Sequence, residues 1–240
     1  MRTETLTLLQ QHLVKNTPVA LCTILSGAAA GQQLLATPDA PVSATDVRDA
    51  SLHKTLADAA LAQLAQGTHS VQTIADAEVF IEVYPPPPTV IMIGAVHISL
   101  ELTALAKQLG FATVVVDARA AFATAERFGS ADELVSAWPD EALQGRLHQN
   151  VAVVVLTHDP KLDDPALVVA LPSAARYVGA LGSKKTHAAR VDRLRAAGLA
   201  DTDIARLYAP IGLDIGGRTP AEIALSIMAQ IVAVWNHKLP

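Results

Sequence analysis

The chain holds a single cysteine, Cys22, in 240 residues. That excludes an internal disulfide and any zinc site built from several thiolates. Its setting, Val19-Ala20-Leu21-Cys22-Thr23-Ile24-Leu25, reads as a buried strand, where a free cysteine packs as a small hydrophobe. Charge is scarce as well: 17% of residues are charged, the net charge is -5, and no block of Lys or Arg occurs. Neutralising phosphates needs such blocks, so nucleic acid is excluded as the main partner. No uninterrupted apolar run is long enough to span a bilayer, so no membrane partner is expected. The opening Met1-Arg2-Thr3-Glu4-Thr5 lacks the apolar core and cleavage site of a signal peptide. The chain therefore reads as a cytoplasmic protein. It has no Gly-x-Ser-x-Gly elbow and no His-Glu-x-x-His run, so no catalytic or metal-ligating residue is assigned.

What is present is apolar residue, 51% of the total, enough for a real core in one or two domains. Pro85-Pro86-Pro87-Pro88 marks the clearest boundary, because four prolines stop a helix or a central strand. The expected organisation is a small α+β domain over 1–84, a proline linker at 85–88 and a second domain over 89–240. In the first, Leu6, Leu9 and Leu13 suggest a helix face, residues 46–66 a longer helix, and Val19–Leu25 and Val79–Tyr84 two strands.

After the prolines, short apolar runs alternate with helical stretches. The runs are Val90–Ile93, Thr113–Val116, Val151–Leu156 and Tyr177–Leu181. Helices are expected after each, near 120–128, over Asp140–Leu147, over Ala166–Ala170 with Asp163 as cap, and over 184–197. All-apolar strands alternating with helices mean a parallel sheet covered on both faces. The fold class is α/β, a Rossmann-like doubly wound sheet preceded by the small α+β domain.

In such a sheet ligands bind beyond the carboxyl ends of the strands, where strand order reverses. The polar residues after each run should share one rim: Gly94 and His97; Asp117 and Arg119; Thr157, His158 and Asp159; Gly182, Ser183 and Lys184; Asp214 and Gly216. His97, at a helix start, fits a base, a hydrogen-bond donor, a metal ligand or a histidine that caps or packs locally. Ser183-Lys184-Lys185 fits an anion site or a solvated helix start. The first loop, Gly94-Ala95-Val96-His97, has valine where a dinucleotide fingerprint needs a second glycine. Asp117 stands where the ribose-binding acid of that fingerprint belongs. NAD(P) or FAD is thus half signalled, and a nicotinamide-dependent oxidoreductase remains an alternative.

The last loop, Pro210-Ile211-Gly212-Leu213-Asp214-Ile215-Gly216-Gly217-Arg218, leads into Thr219-Pro220-Ala221-Glu222. Thr219 is expected to cap a helix with Pro220 at its first position and Glu222 completing a capping box. Behind it Ile223, Ile227, Ile231 and Val234 recur at helical spacing.

Together these segments resemble the XdhC/CoxI family of xanthine dehydrogenase accessory proteins, over roughly Phe80 to Trp235. The resemblance is carried by Phe80-Ile81-Glu82-Val83, Gly94-Ala95-Val96-His97, Leu109-Gly110-Phe111 with Asp117-Ala118-Arg119, Thr157-His158-Asp159 with Leu162-Asp163, Arg176-Tyr177-Val178-Gly179-Ala180-Leu181-Gly182-Ser183 and Pro210–Gly216. It implies binding of molybdenum cofactor (molybdopterin), a phosphorylated pterin dithiolene. It also implies help with that cofactor's sulfuration and insertion into a xanthine dehydrogenase-type molybdoenzyme. The implied partners are that enzyme and a sulfur donor, and a homodimer is expected. The implied role is that of a maturation factor or chaperone rather than an enzyme. A partner-binding member that has lost the cofactor is a further alternative. Two departures stand out. The family's first loop reads Gly-Ala-Gly-His, with Val96 replacing the second glycine here, and the family's N-terminal Gly-Gly-Cys segment has no counterpart.

Overall fold

The computed structural model describes residues 3–15, 17–40 and 42–239. Met1 and Arg2 of the opening segment and the Lys184 side chain lie outside the described residues. The chain forms two compact units that divide between Pro86 and Pro87.

The first unit runs α1 (Thr3–Val14), β1 (Val19–Ile24), β2 (Gln33–Ala36), β3 (Ala44–Thr45), α2 (Ala50–Gln66), β4 (Ser70–Ile74) and β5 (Ala77–Tyr84). Its strands form an antiparallel sheet in the order β3-β2-β1-β5-β4. Alternation along β1 explains the packing. Ala20, Cys22 and Ile24 face a core with Leu56, Ala57 and Ala60 of α2, while Val19 and Leu21 meet Leu9 of α1. The first helix suggested by Leu6, Leu9 and Leu13 is α1. Thr5 and Leu9 are its buried residues, and Leu6 and Leu13 are both exposed, because the helix covers only a corner of the sheet. Strands β2, β3 and β4 carry too little apolar run to stand out in the sequence.

The second unit runs β6 (Thr89–Ile93), α3 (His97–Gln108), β7 (Ala112–Val116), α4 (Ala125–Phe128), β8 (Glu133–Val135), α5 (Pro139–Ala142), β9 (Val151–Val155), α6 (Pro160–Ala170), β10 (Tyr177–Ala180), α7 (Lys184–Ala196), α8 (Asp201–Ile204), β11 (Leu207–Tyr208) and α9 (Pro220–Trp235). Its six strands are all parallel, in the order β11-β10-β9-β6-β7-β8. This is the doubly wound Rossmann order, with its reversal between β6 and β9. The all-apolar strands follow from burial on both faces. Val90 and Met92 pack beneath α3 and α9, and Ile91 and Ile93 pack on the opposite side with Leu167 of α6 and Leu194 of α7.

The capping box at α9 forms as expected. Glu222 N–H donates to Thr219 Oγ1 at 3.3 Å, and Thr219 N–H donates to Glu222 at 2.9 Å. The start of α6 differs. The helix begins at Pro160, not near Ala166, and Asp159 is the cap, accepting from Lys161 N–H at 3.0 Å. Asp163 lies inside the helix and is buried. A proline at the first helical position with an aspartate before it is a strong start, and Pro165 lies inside the helix. The helical pieces near 120–128 and 140–147 shrink to the single turns α4 and α5.

Candidate functional site at the carboxyl rim

Strand order places the β6–α3 turn at the centre of the rim, with the β7 end on one side and the β9 end on the other. The three ends are locked together by short polar side chains. Gly94 has φ +110°, and a Cβ there would lie 2.5 Å from Thr157 Cγ2. Only glycine meets both conditions, a left-handed backbone and contact with the neighbouring strand end. Ala95 N–H then donates to Asp117 Oδ2 at 2.8 Å, so the β7 carboxylate holds the turn that follows β6. Ser99, fully buried on α3, donates its hydroxyl to Gly94 C=O and occupies the place of the fingerprint's third glycine. Val96 is half-buried and extended, with φ -103° and ψ 174°, so the valine needs no strained backbone.

Asp117 is the electrostatic centre of this lock. Its side chain is fully buried, and it accepts from Arg119 N–H and Nε at 2.9 Å and from Nη2 at 2.8 Å, besides Ala95. Burial would raise its carboxyl, but the Arg119 side chain and the two backbone N–H groups outweigh that and hold it below the ordinary value. Arg119 in turn covers Phe122, its guanidinium 4.5 Å from the ring centroid.

A second polar chain starts at Thr157. Its hydroxyl donates to Asp163 Oδ1, and the other carboxylate oxygen takes Arg190 Nη2 at 3.2 Å. Arg190 comes from α7 and also donates to Leu181 C=O at 3.0 Å. Both members of this ion pair are buried, with side chains 1% and 3% exposed. Burial pushes the Asp163 carboxyl up, and Thr157 and Arg190 offset only part of that. Arg190 Nε and Nη1 and the neighbouring His187 Nδ1 are buried without a hydrogen-bond partner.

A third link fixes the last loop. Gln230 of α9 is buried, and its Oε1 accepts from Tyr177 Oη at 2.6 Å and from Gly212 N–H at 2.8 Å. The loop after it forms a hollow of about 450 Å³ lined by Leu181, Pro210, Asp214, Ile215, Gly216 and Ile223, among others.

The sequence-derived residues therefore separate into groups. Gly94, Asp117, Arg119, Thr157 and Asp159 meet around the strand-order reversal. Asp214 and Gly216 line the hollow beside β10, which the reversal-point residues do not touch. Gly182 and Ser183 open α7, where Ser183 Oγ accepts from Thr186 N–H at 3.2 Å. His97 and His158 are exposed at the first turn of α3 and ahead of α6. Ser99, Asp163, Arg190 and Gln230 were not among the expected site residues. Ser99 had a signal in its spacing from Gly94, and Asp163 stood in one of the stretches that carry the family resemblance; Arg190 and Gln230 act through partners far apart in sequence. Among the described residues no group of three or more His, Cys, Asp or Glu is arranged to hold a metal ion. At the rim the Thr157 hydroxyl is bonded to the Asp163 carboxylate, both buried, and the rest of what it offers is hydrogen-bonding groups around glycine turns.

A family model described as the XdhC Rossmann domain matches residues 90–231. A Bacillus subtilis (strain 168) protein named as a probable xanthine dehydrogenase component is 34% identical over 154 residues, 64% of this chain and 44% of that protein. The molybdenum cofactor insertion chaperone PaoD of Escherichia coli (strain K12) is 28% identical over 123 residues, 51% of this chain and 38% of its own length. The chain thus matches less than half the length of each of these relatives. A crystal structure described as a xanthine dehydrogenase from Bacillus halodurans shares the fold, with a TM-score of 0.57 at 20% identity over 97% of this chain and 96% of that one. With the Rossmann strand order, the glycine turn at its reversal and the family match across most of the second unit, the chain belongs to the XdhC Rossmann domain family.

Proposed function

We propose that this protein is an accessory factor that binds molybdenum cofactor and assists its sulfuration and insertion into a xanthine dehydrogenase-type enzyme. The observation that carries the reading is the match to a relative named as a molybdenum cofactor insertion chaperone, beside a family match over residues 90–231 that hold the rim. The rim chemistry supports it. Glycine turns at Gly182 and Gly216 give backbone access, Gly94 seats its turn against Thr157, Ser183 and the α7 N-terminus suit a phosphate, and His97, His158 and Asp214 suit polar pterin edges. Lys184 is proposed to join the phosphate contacts. The buried donors of Arg190 that lack an acceptor fit an anionic group. Asp117, Arg119, Thr157 and Asp159 act by holding the turns in register. The bound cofactor supplies the redox chemistry of the client enzyme. This chain binds it, orients it and hands it over. A homodimer, a sulfur donor as second partner, and separate roles for the two compact units belong to the same proposal.

The nicotinamide or flavin reading fits the geometry less well. To accept ribose hydroxyls, Asp117 would have to release Arg119 or the Ala95 amide. Val96 also occupies the place where a glycine would let pyrophosphate approach.

The test is reconstitution. An apo molybdenum hydroxylase is incubated with cofactor and a sulfur donor, with and without this protein. The reading expects faster and more complete activation in its presence. Equal activation in both would remove it.

A further inference from the structure

The base of α7 holds an arrangement that the fold does not explain. Arg190 is 1% exposed and spends one nitrogen, Nη2, on Asp163 and Leu181 C=O. Its Nε and Nη1 are buried with no acceptor. One turn earlier on the same face, His187 Nδ1 is buried and unpartnered too. Leaving such groups unsatisfied is costly, and more so for a charged one. Native folds keep such groups for a reason, a bound ion among them.

These groups lie at the start of a helix. Arg190 points back along the helix to its N-terminal turn, as long helical side chains do. Gly182 lies there with φ +150°. A side-chain atom at Gly182 would sit 3.4 Å from Thr186 Cβ and 3.6 Å from Arg190 Nη1. These are ordinary contact distances, so Gly182 faces the unpaired Nη1 and sets no side chain against it. The same spot lies at the N-terminus of a 13-residue helix, whose free N–H groups favour negative charge. Ser183 Oγ and Thr186 Oγ1, 3.0 Å apart, flank it.

We propose that Arg190 and His187 form the floor of a phosphate-binding site beneath the first turn of α7. Arg190 donates through Nη1 and Nε, and His187 donates through Nδ1. Asp163 holds the guanidinium in place through its remaining nitrogen, so the site is preorganised on one side and the other two nitrogens are left for the oxyanion. The bearer of the phosphate, a phosphorylated pterin, rests on the function proposed above; the site itself does not.

The experiment uses the full chain and inorganic phosphate, with binding measured by calorimetry and by the ¹⁵N resonance of Arg190 Nε. A parallel arm measures binding of molybdopterin. In the wild type, phosphate binds and shifts the Arg190 Nε–H signal. Arg190→Lys keeps one charge for Asp163 but removes the unpaired donors, and it weakens phosphate binding at least tenfold. His187→Ala, at a half-buried position, does the same with the fold retained. Phosphate binding that is absent in the wild type, or unchanged in both variants, overturns the site whatever the pterin arm shows. Loss of phosphate binding in the variants with no pterin binding in the wild type supports the site and removes the cofactor reading alone.

Discussion

The Ala95 amide and the Asp117 carboxylate, 2.8 Å apart, join the turn after the first strand of the parallel sheet to the end of the second. Asp117 also takes three N–H bonds from Arg119, so one buried side chain sets both the glycine turn and the arginine beside it. Asp117→Asn should cost about 2 kcal/mol, the scale of hydrogen bonds to a charged group. The Arg119 side chain is 38% exposed, so solvent screens part of the charge term and holds the loss near that value. Urea unfolding of the two proteins measures it.

The same pair predicts an acid dependence. The Asp117 carboxyl is lowered in the fold from an ordinary value of 3.8. Its contribution is therefore complete above 3.8 and is lost as pH falls from there through the folded value. The stability gap between wild type and Asp117→Asn should hold steady at neutral pH and narrow only in acid. A gap that narrows already at neutral pH would contradict the lowered carboxyl.

Gly94→Ala combines a left-handed backbone with a clash against Thr157 Cγ2. The expected loss is on the order of 3 kcal/mol. Adding Thr157→Ser removes the clashing methyl but keeps the hydroxyl that Asp163 accepts. The double variant should recover about 1 kcal/mol and leave the backbone strain. Strict additivity in a double-mutant cycle would place the strain elsewhere.

Gln230→Leu keeps the bulk of the side chain but strips the acceptor from both Tyr177 and Gly212. Two orphaned donors should cost about 2–3 kcal/mol. Hydrogen exchange should rise at Gly212 in particular, since its amide loses its acceptor.

The sequence made some of this legible. The α9 capping box was readable because all its determinants lie within four residues, Thr219 to Glu222. The alternating runs announced a two-faced parallel sheet because each of Val90–Ile93 and Val151–Val155 is apolar throughout. Strands β8 and β11 were not readable: Glu133-Leu134-Val135 and Leu207-Tyr208 are short, and pairing alone makes them strands. Asp163 looked like a cap because it precedes an acid and a proline. Its real partner, Arg190, is 27 residues away, a separation that no local pattern encodes. The hollow at Asp214 and Gly216 was visible as a glycine loop, but its displacement from the reversal point depends on how Gln230 ties that loop to Tyr177.

Cys22 bears on the sulfur chemistry. Burial pushes its thiol up to about 12, and its Sγ–H faces Leu56 C=O at 3.6 Å. A thiol so protonated is a poor nucleophile and a poor sulfur carrier. The folded protein should resist alkylation by iodoacetamide at neutral pH and become fully labelled in denaturant. Rapid labelling of the native protein would put Cys22 back among the reactive groups.

The most direct measurement is native mass spectrometry of the protein purified from a host that makes molybdenum cofactor, with identification of the released small molecule. The account predicts a molybdopterin mass bound to the folded chain. A nicotinamide or flavin nucleotide, or a chain that carries no ligand under those conditions, would contradict it.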